Sequence, residues 1–330
     1  MRAWFFVFAA SLSLACAAEK MSLARETRYR GMADASAGVA ISSNLFVVAD
    51  DEGNTLRTYR REQGGLPVQE LDCNAFLEVE GENPEVDLEA CARIGQRIYW
   101  LGSHGRNKNG KARPNRSRFF ATDLVLTNGV PAPVPTGRPY KRLLADLLAD
   151  ERYAKFRLAE AANRAPKEAE GLNLEGMAAT PEGHLLLGFR NPIPGEKALV
   201  APLLNPNEVL EGGACRFGEP VLLNLKGLGI RDMVFCDGGY LLIVGSWHGG
   251  GPFELYRWGG GKLKPQPIKI KHLQDYNPEA IITYPDKGAK EFQILSDDGT
   301  REVDGIPGKE VTDPAKKSFR SVWVTPGGKD

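Results

Sequence analysis

The chain has 330 residues, of which 42% are hydrophobic and 25% charged, an ordinary globular composition that excludes an intrinsically disordered protein. Lysine plus arginine and aspartate plus glutamate both number 42, so the formal net charge is zero, which argues against an overall attraction to nucleic acid or to an anionic membrane. The 37 glycines and 22 prolines favour many turns and short strands over long helices.

The first eighteen residues have the pattern of a secretory signal peptide. Arg2 supplies a positive end, residues 4–14 form an apolar stretch, and the Ala-Cys-Ala sequence at 15–17 fits the small-x-small cleavage rule. We therefore expect an exported protein, periplasmic or extracellular, with residues 1–18 as signal peptide and 19–330 as the mature domain. No later segment approaches the length of a transmembrane helix.

Cysteine raises two further questions. Lipidation at Cys16 is an alternative, but Ser13 occupies the position where a lipoprotein signal usually has leucine, so soluble export is favoured. An exported chain can form disulfides, and its four remaining cysteines allow three pairings that the sequence cannot distinguish. These residues are Cys73, Cys91, Cys215 and Cys236. Since Cys91 and Cys236 stand in apolar runs, buried free thiols are an equal interpretation for them.

The most informative feature is an internal repeat. Each of five segments has a polar residue, a short apolar strand, a turn and a second apolar strand that ends in small or charged residues. Equivalent positions of the two strands are 13 residues apart in the first three repeats, 14 in the fourth and 17 in the fifth. The segments are 35–41 with 45–52, 87–92 with 98–104, 173–179 with 185–190, 230–235 with 240–246, and 278–282 with 292–298.

More alternating strands follow each hairpin, for example at 55–60, 118–122, 198–202 and 253–258, which gives about four strands per unit. Four-stranded units that recur about every 40–50 residues are typical of a β-propeller. We therefore predict an all-β protein, a single β-propeller with five blades. Six blades with one degenerate repeat is the main alternative, and a two-sheet β-sandwich is the structural runner-up.

Two segments stand outside the repeat. Leucines and a phenylalanine at helical spacing predict one inserted surface helix at about 139–165, between the second and third repeats. Residues 25–30, before the first repeat, are expected to supply the fourth strand of the last blade. Closing the ring with both ends of the chain in this way would remove open sheet edges.

Charged residues stand where the strands of each hairpin meet one end of the predicted channel. Four charged residues begin the first strands of their hairpins, and other charged residues end the second strands. We therefore expect a ring of charged side chains at this end of the channel. As candidates for binding a small anionic ligand we take Glu89, His104, Arg106, Glu175, Arg190, Arg231 and Glu279. As candidates for a hard cation such as Ca²⁺ we take Asp50, Asp51, Glu52, Asp297 and Asp298.

A structural network of ion pairs is an equal alternative for the same residues. The two can be separated by geometry. A cation site requires at least three carboxylate oxygens to converge, whereas a structural network requires each glutamate to face an arginine.

Other motifs narrow the function further. The loop at 103–118 is strongly basic but has no interleaved aromatic residues, so nucleic-acid binding is not expected. A clamp for phosphate or carboxylate is one interpretation of the loop, and a solvated hairpin tip is at least an equal one. His104 and His248 follow equivalent strand ends and could meet at the mouth of the channel. No G-x-S-x-G motif is present, and whether the protein is an enzyme stays open.

Six stretches together resemble a bacterial family, domain of unknown function family 3616. They are 48–52, 98–107, 172–181, 188–192, 229–231 and 295–299. The family often has serine after the arginine of the fourth repeat, where this chain has Asp232. The resemblance implies an exported propeller-like protein and brings no established activity. A weaker likeness connects the layout with phytase-like and esterase-like propellers.

Three functional hypotheses remain. The first is an envelope propeller whose charged mouth binds a small anionic molecule or a protein partner of the envelope. The second is a Ca²⁺-dependent phosphoesterase, a phytase-like hydrolase that needs no nucleophilic side chain, with Glu89, Glu175 and Glu279 as further cation ligands. The third is sugar binding, for which Trp100, Trp247 and Phe189 are candidate aromatic contacts.

Overall fold

The computed structural model describes residues 19–127 and 129–327, so the predicted signal peptide lies outside the described residues. Strands dominate the described chain. In chain order, strands β1 to β22 lie at Lys20–Arg30, Ala35–Ala40, Leu45–Asp50, Thr55–Arg60, Gln69–Asp72, Leu88–Ile94, Arg97–Gly102, Phe119–Thr127, Val130–Tyr140, Asn173–Ala179, Leu185–Asn191, Ala198–Leu203, Val221–Leu223, Gly229–Cys236, Gly239–Gly245, Glu254–Trp258, Gln266–Ile270, Pro278–Thr283, Phe292–Ser296, Glu302–Val303, Ile306–Pro307 and Ser318–Pro326.

Helices are few and short. Helices α1 to α4 lie at Asn74–Leu77, Leu143–Ala149, Leu158–Ala161 and Pro206–Leu210. Short 3₁₀ helices lie at Pro114–Arg116, Glu151–Phe156, Pro194–Glu196, Leu273–Asp275, Gly288–Lys290 and Gly308–Glu310. Within the part of the chain that the structure describes, no helix is long and apolar enough to cross a membrane.

Twenty of the strands form five antiparallel blades of four strands each, and β20 and β21 pair in a separate hairpin. The first four blades are β2 to β5, β6 to β9, β10 to β13 and β14 to β17. The fifth blade is ordered β18, β19, β22, β1. The innermost strands β2, β6, β10, β14 and β18 contact one another in sequence, and β18 returns to β2, so the ring is closed. The chain is a five-bladed β-propeller, as the repeat predicts.

The first strand of the chain completes the last blade. Strand β1 pairs with β22 antiparallel, from Met21 opposite Pro326 to Arg30 opposite Ser318. Through its first two residues, Lys20 and Met21, β1 also pairs with β17 in parallel, which joins the fourth and fifth blades into one sheet. The closure predicted for residues 25–30 is thereby confirmed, and the strand begins earlier, at Lys20.

The core consists of five apolar clusters, each between two neighbouring blades. Inner strands are buried on both faces; every residue of β3 and of β15 is buried, which explains their continuous apolar runs. Large aromatic side chains belong to these clusters, and Trp100, Tyr59 and Phe189 are at most 1% exposed. The propeller is therefore held by packing between blades, while hydrogen bonds hold each blade.

The insertion predicted at about 139–165 consists of three short helical segments. Helix α2 ends before Asp150, whose side chain accepts from the backbone N–H of Arg152 and starts the 3₁₀ turn Glu151–Phe156. Leu143, Leu147 and Tyr153 are buried in the cluster between the second and third blades. The insertion thus belongs to the core of the propeller on one side and faces solvent on the other.

The four described cysteines are all free thiols, and Cys215 is the one that is partly exposed. This answers the question of pairing that the sequence left open, since none of the three connectivities is formed. Burial raises the pKa of Cys73 and of Cys236 to about 12, so these thiols stay protonated and unreactive.

Candidate functional site

A β-bulge interrupts the inner hairpin of every blade at an equivalent position. In the second blade Leu88 pairs with Gly102 and Ala90 pairs with Leu101, so Glu89 has no partner on the neighbouring strand. A bulge of this kind bends the strand and redirects the extra side chain. The extra residues of the five blades are Ser36, Glu89, Glu175, Arg231 and Glu279. All five line one cavity, so the repeated bulge produces a ring of polar side chains.

This cavity, which we call the mouth, occupies one end of the channel. It has a volume of about 920 Å³, within the range of small-molecule sites. The ring forms its floor, and loops from all five blades form its walls. The basic loop at 103–118 contributes Lys108, Arg113 and Arg116 to the walls, and Lys167 and Lys309 line it from other loops.

One half of the ring is an ion-pair network. Glu175 Oε1 lies 2.5 Å from Arg190 Nη1, and Glu175 Oε2 lies 3.3 Å from Arg231 Nε. Arg231 in turn makes a bidentate contact with Glu279, in which Nε donates to Oε2 at 3.0 Å and Nη2 donates to Oε1. All four side chains are buried. In this half each glutamate faces an arginine, as the structural hypothesis requires.

On the other side of the mouth, around Glu89, several carboxylates converge, and not all of them have a cation as a partner. One oxygen each from Asp51, Asp87 and Glu89 lie within 4.8 Å of one another, and so do oxygens from Asp34, Asp51 and Glu52. Asp51 belongs to both groups. Among the described residues, no lysine or arginine forms an ion pair with Asp51 or with Glu89, although Arg116 Nη1 contacts Asp87 Oδ2 at 2.7 Å. Here the convergence that a cation site requires is present.

The environment of these carboxylates disfavours their charged forms. Burial raises the pKa of Asp51 well above its usual range, and the charges of Glu89, Asp297 and Asp87 raise it further. Burial and the charge of Glu175 likewise raise the pKa of Glu89 well above its usual range. Burial raises the pKa of Asp87 to about 7 despite the neighbouring Arg116. Among the described residues Arg116 contacts only Asp87 of this cluster, so no ion pair offsets the cost of ionising Asp51 and Glu89.

Unpaired buried polar atoms concentrate at the mouth. Nearly all buried polar groups in proteins have a hydrogen-bond partner, and one without a partner costs about 1–3 kcal/mol. Among the described residues, half of the buried side-chain nitrogen and oxygen atoms without such a partner belong to residues that line the mouth. They are Asp51 Oδ1, Arg116 Nε, Asn173 Oδ1, Glu175 Oε2, Arg190 Nε and Arg231 Nη1. Donors and acceptors without hydrogen-bond partners thus lie together in one cavity.

Several predicted residues lie elsewhere or already have partners. Asp50 pairs with Arg57 at 2.6 Å and does not line the mouth. Asp298 lines the mouth, but Arg320 binds it at 2.7 and 2.8 Å and Ser296 donates to it. Each of these two predicted cation ligands is thus already paired with an arginine of a strand.

The remaining predicted cation ligands lie at the wall of the mouth. Asp297 accepts from Asn277 at 3.0 Å and from the Gly299 N–H at 2.8 Å. Glu52 is exposed and pairs with Lys309 at 2.8 Å. Both therefore have donors that a cation would have to replace or share.

His104 and Arg106 do not line the mouth. His104 is buried in a left-handed conformation, its Nδ1 lies 2.8 Å from the Gly102 carbonyl oxygen, and its Nε2 has no partner. Burial lowers its pKa to about 4. Arg106 donates to the Ala162 carbonyl and to Asn163 Oδ1, so it fastens the helical insertion. The two histidines do not meet at the mouth, because only His248 lines it.

Three residues that the sequence reasoning missed complete the site. Asp34 is 5% exposed and belongs to the second carboxylate group, Asp87 belongs to the first, and Asn173 presents its unpaired amide oxygen to the mouth. A signal for them exists in the repeat. The residues two positions before the bulges are Asp34, Asp87, Asn173, Gly229 and Asn277. Four of these five are polar, and the exception has its own reason, because a Cβ on Gly229 would lie 1.8 Å from the Arg190 carbonyl oxygen.

Comparison with known proteins connects half of this site to a family. Residues 132–290 match the model of a protein family of unknown function, DUF3616. The predicted resemblance is confirmed over that segment. The DUF3616 segment contains the ion-pair network, with Glu175, Arg190, Arg231 and Glu279, whereas the carboxylates of the first and second blades precede it. Among curated proteins, none matches the sequence.

Solved structures of similar shape have little sequence in common with the chain. Glutaminyl cyclase from Myxococcus xanthus is 12% identical, with a TM-score of 0.48, and the match covers 94% of this chain and 100% of the cyclase. A putative oxidoreductase (glucose dehydrogenase) from Thermus thermophilus is 14% identical, with a TM-score of 0.45, covering 91% and 99%. Aldose sugar dehydrogenase from Streptomyces coelicolor, in its PQQ-bound form, is 9% identical, with a TM-score of 0.42, covering 92% and 98%.

Proposed function

We propose that the mouth binds a small anionic ligand together with a divalent cation, for which Ca²⁺ is the best candidate. The observation that carries the proposal is the presence of unpaired buried atoms of both kinds in one cavity. Asp51 Oδ1 and Asn173 Oδ1 lack a donor, and Arg231 Nη1 lacks an acceptor. The concave cavity of about 920 Å³ favours a small molecule over an envelope protein as the partner.

The cation would bind where the carboxylates converge. Ca²⁺ takes six to eight oxygen ligands from carboxylates, amides and water. Asp51, Asp87 and Glu89 offer three carboxylates within reach of one ion, and Asn173 offers a neutral amide oxygen in the same cavity. A bound cation would lower the raised pKa of each carboxyl and would satisfy the acceptors that have no donor. Glu52, Asp34 and Asp297 would surround this ion without coordinating it directly.

The anion would bind toward the arginine half of the ring. Arg190 and Arg231 are already paired with glutamates, yet each keeps a buried N–H without an acceptor. Charge-assisted hydrogen bonds from guanidinium groups to carboxylate or phosphate oxygens are among the stronger ones in proteins. The lysines and arginines of the wall would add attraction at longer range. An anion bound here could also ligate the cation and so link the two halves of the ring.

The test is thermal unfolding of residues 19–330 in EDTA and then with added Ca²⁺. A ligand that binds only the folded state stabilises it by about 2.7 kcal/mol at a hundredfold excess over Kd. We expect a clear rise in Tm for the unmodified chain and a much smaller rise for Asp51→Asn. Asp304→Asn, on an exposed loop that does not line the mouth, is the matched control and should respond as the unmodified chain does. No response to any divalent cation would refute the cation part of the proposal.

A second candidate function is a metal-assisted phosphoesterase. The specific observation in its favour is that the carboxylate group and Arg231 Nη1 line the same cavity, so a phosphate ester could contact a cation and a guanidinium at once. A cation-bound water could then attack without a nucleophilic side chain. Hydrolysis of p-nitrophenyl phosphate with Ca²⁺ tests this candidate. If the protein binds Ca²⁺ but hydrolyses no phosphate ester of a panel in a metal-dependent way, the phosphoesterase is refuted and a binding protein is favoured.

Export belongs to the same proposal. Ligand binding that requires Ca²⁺ at the mouth is consistent with a location outside the cytoplasm. Residues 1–18 have the pattern of a signal peptide. Cell fractionation with N-terminal sequencing of the purified protein tests this. A mature chain that begins at Ala18 or Glu19 in the periplasm or medium is expected, and retention of residue 1 in the cytoplasm would contradict it.

A further inference from the structure

A second cavity occupies the opposite end of the channel. This far pocket has a volume of about 440 Å³ and is lined by all five innermost strands. Its walls are largely apolar, with Val39, Ala92, Met177, Val234 and Phe235 among them. It lies on the other side of the bulge ring from the mouth. A ligand bound there would not touch the carboxylates proposed to hold a cation.

One buried carboxylate interrupts these apolar walls. Asp232 lines the far pocket and is 7% exposed. It follows the bulge residue of the fourth blade, at the position where the other four blades have small apolar residues. Those residues are Ala37, Ala90, Gly176 and Ala280. The repeat therefore does not require a carboxylate at this position, and the packing of the other blades shows that a small side chain suffices.

The hydrogen bonds of Asp232 do not require a charge either. Its Oδ2 accepts from the backbone N–H of Ile281 at 2.6 Å, a role that an amide or a hydroxyl could fill. Among the described residues, no lysine or arginine forms an ion pair with it. Burial raises its pKa to about 7, and only backbone N–H groups lower it. A buried carboxylate without a counterion is costly unless a cation reaches it.

The other charged groups of the pocket are satisfied in other ways. Arg93 donates to the carbonyl oxygens of Gly95 and Ala40 at 2.7 and 3.0 Å. Asp237 is exposed to water and accepts from the N–H of Ala289 at 2.8 Å. The thiols of Cys91 and Cys236 also line the pocket and are neutral, because burial raises the pKa of each. Asp232 is thus the one buried carboxylate in the described wall whose counterion is missing.

We propose that the far pocket is a second ligand site, which binds a small organic ammonium ion with its charged end at Asp232 and its apolar body against the channel walls. Pockets of mostly apolar lining with one well-placed polar group are the usual form of small-molecule sites. The ammonium would donate to the carboxylate in a charge-assisted hydrogen bond. The class of ligand follows from the sign of this charge, and its apolar body follows from the apolar residues of the walls.

The experiment is calorimetric titration with n-hexylamine, which is an ammonium ion at neutral pH, and with n-hexanol, which has the same apolar body without the charge. For the unmodified chain we expect hexylammonium to bind at least tenfold more tightly than hexanol. In Asp232→Asn, which keeps an oxygen acceptor for the Ile281 N–H, that preference should disappear while hexanol binding is unchanged. Equal binding of hexylammonium by both chains, or none by the unmodified chain, would overturn the proposal.

Two further measurements separate the far pocket from the mouth and from failed folding. Asp51→Asn should leave hexylammonium binding unchanged, and a large loss in that variant would place the ammonium in the mouth and overturn the proposal. Titration of the unmodified chain in two buffers of different ionisation enthalpy does not depend on any variant. Since Asp232 is partly protonated near neutrality, ammonium binding should release protons, and the observed heat should change with the buffer. An identical heat in both buffers would contradict binding at Asp232.

Discussion

At the scale of the residue, the same β-bulge does not carry the same side chain in every blade. The bulge presents serine in the first blade, glutamate in the second, third and fifth, and arginine in the fourth. The backbone conformation is the same in all five blades, but the side chain at the bulge differs. The charges of neighbouring blades can therefore form ion pairs or remain without a partner. Glu175 and Arg231 form an ion pair, whereas Glu89, at the equivalent bulge position, forms none with the described residues.

Removing the charge of Glu175 should destabilise the fold. Glu175→Gln keeps the size of the side chain but leaves Arg190 buried without its carboxylate, at a cost of about 3–5 kcal/mol. Denaturant unfolding with linear extrapolation measures it. The control is Glu208→Gln, which removes the exposed bidentate contact with Arg216 at 2.5 and 2.9 Å and should change stability little. Equal effects of the two substitutions would show that burial does not govern the network.

The cysteines provide a second prediction at this scale. Since the described thiols are unpaired, a reducing agent should leave the Tm of a chain of residues 19–330 unchanged. In the folded protein Cys73, Cys91 and Cys236 should resist a thiol reagent, because they are buried and protonated, and the partly exposed Cys215 should react first. In denaturant without reductant all four should react. A fall in Tm on reduction would instead reveal a disulfide.

Much of the ring could be predicted from the sequence, because the repeat places Glu89, Glu175, Arg231 and Glu279 at equivalent positions. Their pairing could not be predicted, since it depends on which side chains the bulges bring together across blades. His104 shows another limit. It follows a strand end like the mouth residues, but a positive φ of 56° turns it into the protein interior. Such a turn leaves no trace in the pattern of apolar residues.

At the scale of the element, the fifth blade depends on a strand from the other end of the chain. Strand β1 covers the edge of β22, and Tyr29 from β1 is fully buried between the fifth and first blades, where its hydroxyl donates to the Arg61 carbonyl. The sequence signal for this closure was indirect. The last repeat lacks a fourth strand, and residues 25–30 are the nearest segment outside the repeats that could supply one. Pairing of distant segments is otherwise invisible to local pattern.

Removing β1 should therefore prevent stable folding. A chain that begins at residue 31 loses the outer strand of the fifth blade and exposes a flat edge of β22, which favours aggregation. Size-exclusion chromatography and far-ultraviolet circular dichroism, compared with a chain that begins at residue 19, measure this. A synthetic peptide of residues 19–31 should restore soluble, folded protein when it is added during refolding. A truncated chain that stays monomeric, with an unchanged Tm, would show that the ring closes without β1.

The helical insertion shows what local pattern resolves within an element. Helical spacing correctly located the segment, but the structure divides it where Asp150 caps the following turn. Leu143 and Leu147 then face the blades, while Leu148 is 39% exposed. A periodic run of leucines predicts a helix but does not reveal a cap in its middle.

At the scale of the whole molecule, raised carboxyl pKa values couple stability to pH. Burial raises the pKa of Asp34, Asp87 and Asp232 to about 7 in the folded state, from 3.8. A carboxyl with a higher pKa in the folded state binds protons more tightly there, so it contributes stability at low pH that is lost as pH rises from about 4 to 7. His104 acts in the opposite sense. Its pKa falls to about 4, so it favours the folded state above pH 6.5 and loses that contribution as pH falls.

The carboxyls outnumber the histidine, so in EDTA the free energy of unfolding should fall as pH rises from about 5 to 7.5, by about 1.4 kcal/mol per pH unit for each proton that the folded state binds in excess of the unfolded state. Saturating Ca²⁺ should remove most of this slope, since a cation stabilises the ionised carboxylates of the mouth, and the contribution of Asp232 should remain because the far pocket lies away from that ion. Urea unfolding across this pH range, with EDTA or Ca²⁺, measures both. If the free energy of unfolding still depends on pH in Ca²⁺, and this dependence disappears in Asp232→Asn, the remaining contribution belongs to the far pocket and the part that Ca²⁺ removed belongs to the mouth. A stability that rises with pH in EDTA would show instead that the mouth carboxylates are already neutralised within the fold.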